Sequence, residues 1–201
     1  MVLLNIGSGC PRPGPPWINI DYLFEQFPVG TPERRRLEEE GNYMDLNVVD
    51  GLPFYYNVDG ILMSHVLEHF TMNDALIVLT HCWHALKVGG VLRISVPDPV
   101  KFYDLIIREE GGEDIDWGEP NYGAPQNFLR YALLFADHKQ LITKDCLDCY
   151  LWATGYESWK VVEASESQLP ILADIDNRYP FSLFVEAIKG EERDLMFGKL
   201  N

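Results

Sequence analysis

A glycine bend and two strand-terminal carboxylates are the groups of this chain best suited to hold a nucleoside. The apolar run at residues 2–6 ends in Gly7-Ser8-Gly9, where the absence of bulky Cβ atoms lets main-chain amides come close to a ligand. A second short run, Trp17-Ile18-Asn19-Ile20, closes on Asp21. A carboxylate at the tip of the adjacent strand can accept from ribose hydroxyls, because ligands of α/β proteins sit beyond the carboxyl ends of the strands. Asp45 stands in the same way near the end of a third short run at 42–46. The bend offers donors and the two aspartates offer acceptors.

His65-Val66-Leu67-Glu68-His69 has the HxxEH order in which two histidines one helical turn apart bind zinc and the glutamate acts as base. That chemistry needs the middle of a long helix and a distal acidic ligand. Here the motif directly follows an apolar run and is cut off by Thr71, a helix N-cap, so it reads as a turn serving a pocket and no metal ligands are assigned. For proton transfer, His65, His69 and His138 are the candidates by residue type, since imidazole titrates near neutrality. His81 and His84 fall on a helix as surface or core-edge residues. Cys146 and Cys149 form a lone CxxC inside a helical pattern with no second pair. All four cysteines, with Cys10 and Cys82, therefore read as free thiols.

These groups need a parallel sheet to bring them together, and the chain alternates strand and helix patterns of that kind. At 201 residues it supports one core, taken as a single domain over 1–190 with a substrate-side insertion around 113–142 and a charged tail at 191–201. A helix starts at Thr31-Pro32 and stops at Gly41. Strands follow at 42–46, 60–64 and 91–96, with a helix capped by Thr71 between the last two. Asp98-Pro99 opens a further helix ended by Gly111-Gly112, and another covers 143–155. Closing strands at 159–164 and 181–189 flank a loop holding Pro170 and Pro180. The expected class is α/β: a doubly wound sheet of about seven strands, mostly parallel with an antiparallel last strand, and helices on both faces.

With 16 basic against 31 acidic residues, a net charge of -15 sets the field against phosphate backbones and anionic surfaces, so neither nucleic acid nor membrane is an expected partner. Arg34-Arg35-Arg36 is followed by Glu38-Glu39-Glu40 and reads as a solvated helix face. The start MVLLNIGSG does not read as a basic, cleavable leader, and the cytoplasm is the expected compartment.

In this order and spacing, NIGSG at 5–9, WINID at 17–21, MDL at 44–46, LPF at 52–54, VDGILMSHVLEHF at 58–70 and ALKVGGVLRISVPD at 85–98 resemble the class I S-adenosylmethionine-dependent methyltransferases, with their Rossmann-like fold. His138-Lys139, Gly155-Tyr156 and SLFVEAIK at 182–189 resemble the distal part of the same family. The resemblance implies S-adenosylmethionine (SAM) as cofactor. Asn5, Ile6, Gly7, Ser8 and Gly9 would line its methionine end, Asp21 with Tyr22 its ribose, and Asp45 with Leu46 its adenine, a carboxylate accepting from the exocyclic amine and an amide donating to a ring nitrogen. Ser64 and His65 would lie beneath the sulfonium or the acceptor, a small molecule or glycan. Two departures stand out. Asn5 replaces an acidic residue common in the family, and the four prolines of residues 10–16 exclude the usual first helix with its dipole. The same prolines, and the lack of a third glycine, exclude a dinucleotide-binding GxGxxG bend. A non-catalytic protein that binds the cofactor or a related nucleoside is the alternative from another class.

Overall fold

The computed structural model describes residues 1–8, 13–22, 30–32, 34, 35, 39, 41–115, 137–176 and 181–191. Gly9, Cys10, most of the insertion and nearly all of the tail lie outside them. Seven strands, β1 (Leu3–Ile6), β2 (Trp17–Asp21), β3 (Tyr43–Asp45), β4 (Val58–Ser64), β5 (Leu86–Pro97), β6 (Ser158–Val161) and β7 (Ser182–Ile188), form one sheet in the order β3-β2-β1-β4-β5-β7-β6. The first five are mutually parallel. β7 runs antiparallel to both β5 and β6. The strand order reverses at β1, which pairs with β2 on one side and β4 on the other, and a crevice opens at such a reversal.

Strand register divides the sheet into two unlike faces, because successive side chains point to opposite sides. Leu4, Ile6, Ile20, Ile61, Met63, Leu92, Ile94, Val96, Val185 and Ala187 share one face and belong to the larger apolar cluster. Helix α1 (Met72–Ala85) and helix α3 (Lys144–Ala153) close that face, with Val78, Leu79, Cys82, Trp83, Leu147 and Leu151 fully buried. Their starts follow from capping chemistry. Thr71 Oγ1 accepts from the Asp74 amide at 3.2 Å, and Thr143 Oγ1 accepts from the Cys146 amide at 3.3 Å, each satisfying an orphan amide of a first turn. Asp98 caps helix α2 (Pro99–Glu110) in the same way, with proline in the first turn.

The opposite face is partly polar. Asn5, Asn19, Ser64, Arg93, Ser95, Ser182 and Glu186 lie on it by register, beside a smaller apolar group of Leu3, Trp17, Leu62, Val91 and Leu172. Leu172 comes from helix α4 (Pro170–Ile175), in a stretch expected as loop. Pro170 accounts for the difference, since proline is preorganised for a first helical turn, and the turn gains from laying Leu172 fully buried against the sheet. Arg34 is a second correction to the sequence reading. It is not a solvated residue but reaches Asp45, Nη1 to Oδ2 2.5 Å, with both side chains only 12% exposed.

Candidate functional site

The parallel strands end together, so Gly7, Tyr22, Leu46, His65 and Asp98 follow their carboxyl tips along one edge. At the reversal the chain leaves β1 through Gly7 with φ +66°. An ideal Cβ there would stand 2.3 Å from Val66 Cγ2 and 2.9 Å from Cγ1, so both conformation and space demand glycine. The bend's amides are placed differently from the sequence expectation. Gly7 N and Ser8 N both donate to the Ile20 carbonyl, at 2.8 and 3.2 Å, which ties the bend to β2 instead of pointing these hydrogens outward. Ser8 is buried, and its Oγ has no hydrogen-bond partner among the described residues.

Asp21 and Asp45 are register partners at the tips of β2 and β3. One oxygen of Asp21 accepts from the Tyr22 amide at 2.8 Å. Asp45 gives Oδ2 to Arg34, while its Oδ1 is buried without a partner. The Leu46 amide, expected to be available to a ring nitrogen, donates to the Asp21 carbonyl at 3.1 Å. Asn5 Nδ2 donates to Asn19 Oδ1 at 3.0 Å, and Asn19 Nδ2 donates to the Pro13 carbonyl at 2.9 Å. Asn42 holds the same carbonyl. The asparagines brace the proline segment, and residues 13–16 are not helical.

Across the reversal, β4 ends at Ser64, whose Oγ donates to Asp176 Oδ1 at 2.8 Å. Ser95 Oγ donates to the same oxygen at 2.8 Å, and Arg93 Nε donates to Asp176 Oδ2 at 2.8 Å and its Nη1 to Glu186 Oε1 at 3.2 Å. These three charged side chains are fully buried and joined in one hydrogen-bonded network, the second carboxylate oxygen of Glu186 accepting from the Gln168 amide at 2.9 Å, as buried charges require. None was singled out from the sequence. Arg93, within the apolar run at 91–96, and Glu186, the lone charge of β7, were the available signal, since such residues are buried only when paired.

His65 has φ +53°, uncommon for a side chain with Cβ. Its amide donates to the Ser95 carbonyl at 2.9 Å, and its ring is held at both ends, Nε2 to Ser182 Oγ at 2.7 Å and Nδ1 to Glu68 Oε1 at 3.4 Å. Beyond it a 3₁₀ turn spans Leu67–His69. The HxxEH segment thus runs from a strand end into a tight turn, and the zinc-peptidase arrangement of two histidines on a long helix is not formed.

The turn buries Glu68 to 1% exposure, and neither carboxylate oxygen has a hydrogen-bond partner elsewhere. Burial pushes its carboxyl up to about 8, opposed by its own main-chain amide. His138 Nε2 lies 3.9 Å from Glu68 Oε1, and the His69 and His138 rings meet edge to face with centroids 4.7 Å apart. Burial holds the His69 imidazole below its usual range, opposed first by a hydrogen bond to the Asp137 main chain. The three histidines named from the sequence therefore gather around one buried glutamate. Hydrogen bonds fix that approach: Lys139 N donates to the Glu68 carbonyl at 2.8 Å, Gln140 Nε2 to the Leu67 and Phe70 carbonyls at 3.3 and 3.1 Å, and Tyr150 Oη to Gln140 Oε1 at 2.7 Å. His81 and His84 stay apart on α1, His81 Nδ1 lying 2.9 Å from the Val48 carbonyl. Among the described cysteines, Cys82, Cys146 and Cys149 are free.

No protein-family model matches the sequence, and no curated protein matches it either. Solved structures do match in shape. A SAM-dependent methyltransferase from Archaeoglobus fulgidus is 19% identical, with a TM-score of 0.56 over 93% of this chain and 85% of its own. A SAM-dependent methyltransferase from Thermotoga maritima is 14% identical, with a TM-score of 0.55 over 94% of this chain and 81% of its own. An O-methyltransferase family protein from Burkholderia thailandensis is 10% identical, with a TM-score of 0.54 over 96% of this chain but only 52% of its own length. No helix among the described residues is long and apolar enough to cross a membrane. The seven-stranded sheet, its order and its antiparallel closing strand are the architecture of the SAM-dependent methyltransferases, and this chain has their fold.

Proposed function

We propose that the protein is a SAM-dependent methyltransferase that binds its cofactor across the carboxyl ends of β1 to β4 and methylates a small molecule or a glycan. The observation that carries this reading is the pair of buried oxygens, Ser8 Oγ and Asp45 Oδ1, left without a partner near the tips of β1 and β3, on either side of the β2 strand that ends in Asp21. Buried polar atoms are ordinarily satisfied, so an unpaired pair flanking a ribose-binding carboxylate fits a bound adenosine. Asp45 Oδ1 would accept from the adenine amine while Arg34 holds the other oxygen. Asp21, beside Tyr22, would take the ribose hydroxyls. Ser8 Oγ, with Asn5, Ile6, Gly7 and Gly9, would meet the methionine end.

Methyl transfer is an in-line displacement: an acceptor oxygen or nitrogen bonds the methyl carbon as the sulfur–methyl bond breaks, leaving S-adenosylhomocysteine and a proton to be removed. Positioning supplies much of the acceleration. Ser64 and His65 would flank the reacting methyl, and His65, His69 and His138 are the candidates, by residue type, to take the proton. The net charge of -15 disfavours polyanionic acceptors.

Calorimetry with SAM and S-adenosylhomocysteine, followed by S-adenosylhomocysteine release over a panel of hydroxyl and amine acceptors, tests the proposal. Binding with turnover of at least one acceptor is expected; binding of neither nucleoside overturns it. Binding without turnover on any acceptor supports the second reading, a non-catalytic nucleoside-binding protein, which is favoured by the Gly7 and Ser8 amides being spent on the Ile20 carbonyl.

A further inference from the structure

The geometry points to a site for a divalent transition cation of the zinc class, held by Glu68, His69 and His138. One ligand atom from each can be chosen so that all three lie within 4.8 Å of one another. Two imidazoles and one carboxylate are a donor set suited to zinc and its first-row neighbours. Ligand bonds of about 2.1 Å place tetrahedral donors about 3.4 Å apart, so gaps of up to 4.8 Å close by about 1.4 Å or less, within reach of side-chain rotation.

A second observation points to the same ligand. Glu68 is 1% exposed, and neither carboxylate oxygen has a hydrogen-bond partner among the other described residues, the nearest imidazole nitrogens being His65 Nδ1 at 3.4 Å and His138 Nε2 at 3.9 Å from Oε1. A buried carboxylate with no closely bonded donor from another residue is costly, and a cation held between it and the neighbouring imidazoles offsets that cost. The surroundings suit a metal as well. His69 is hydrogen-bonded to the Asp137 main chain, the kind of outer contact that orients a ligating imidazole. Lys139, next to His138, is bonded to the Glu68 carbonyl, so the two distant segments are fixed against each other. Three protein ligands leave a fourth position for water or an oxygen donor, which the cation would polarise. This is not the HxxEH set: Glu68 is a ligand instead of a base, His138 comes from 70 residues further on, and His65 stays outside the set, its Nε2 bonded to Ser182 and its Nδ1 3.4 Å from Glu68 Oε1.

The test is a Co²⁺ titration of tag-free, chelator-stripped protein followed by visible absorption, with Zn²⁺ as competitor. One Co²⁺ per chain with a tetrahedral spectrum, displaced by Zn²⁺, is expected. His138→Gln and His69→Gln should each weaken binding by about tenfold or more, with far-UV circular dichroism unchanged, while the Cys146→Ser/Cys149→Ser double variant should bind as the parent does. X-ray absorption of the Co²⁺-loaded parent should show nitrogen and oxygen donors and no sulfur, which keeps the test decisive should a histidine variant not fold. Absence of stoichiometric Co²⁺ binding by the parent, sulfur in its coordination sphere, or undiminished binding by both histidine variants would overturn the assignment.

Discussion

Replacing Gly7 by alanine probes the link between the β1 bend and the segment that carries His65 and Glu68. The backbone at φ +66° costs a residue with Cβ about 1–2 kcal/mol. The added carbon would also stand 2.3 Å from Val66 Cγ2 and 2.9 Å from Cγ1, and overpacking of this kind costs about 1–3 kcal/mol. Gly7→Ala should therefore lose about 2–5 kcal/mol in urea unfolding, a large part of the roughly 5–15 kcal/mol typical of a domain. The two contributions can be separated. Val66→Ala removes both γ carbons, leaving only Cβ at 3.2 Å, and on its own costs up to about 1.6 kcal/mol, the value for two fully buried carbons, Val66 being half-buried. In the double variant the clash is gone and the conformational cost remains, so the pair should be less destabilised than the sum of the singles by about 1–3 kcal/mol. Strict additivity of the two substitutions, or a single-variant loss below about 1 kcal/mol, would refute the reasoning that Val66 closes the space over the bend.

Ser8→Ala removes a buried hydroxyl that has no partner; the ligand-free protein should melt unchanged or higher, by up to about 1–3 kcal/mol of stability, while calorimetry reads weaker SAM binding. Arg93→Met leaves Asp176 and Glu186 facing each other in a dry interior and should cost about 3–5 kcal/mol, with partial recovery on adding Asp176→Asn and Glu186→Gln, all measured by chemical unfolding. Glu68, raised by burial to about 8 from 4.5, holds its proton in the folded chain over a range where the unfolded chain has lost it. Its contribution is thus fully present below pH 4.5 and is lost as pH rises toward 8. In chelator-treated protein the stability should fall by roughly 3 to 4 kcal/mol between pH 5 and 8 relative to Glu68→Gln, and parallel pH profiles of the two proteins would contradict this.

What the sequence by itself determined is the layout along the chain. Apolar runs of strand length and the caps at Thr71, Asp98 and Thr143 are short-range signals, and the elements they imply are present among the described residues, except that β5 starts at Leu86 and runs through Gly89 and Gly90 instead of starting at 91; most of the helix expected between Thr31 and Gly41 lies outside the described residues. The placing of Asp21 and Asp45 at strand tips follows from the same local pattern, because a strand that stops at an aspartate puts it on the edge. Among the described elements α4 escaped, its six residues being too few to carry a periodicity. Partnership across the chain was decided by the tertiary structure alone. That the Gly7 and Ser8 amides are spent on Ile20, that Arg34 turns in to Asp45, that Arg93 finds Asp176 and Glu186, and that His138 meets Glu68 70 residues away all depend on register and on which face a side chain takes. One residue of slip in a strand reverses every face, and no local pattern names the distant residue that will stand opposite.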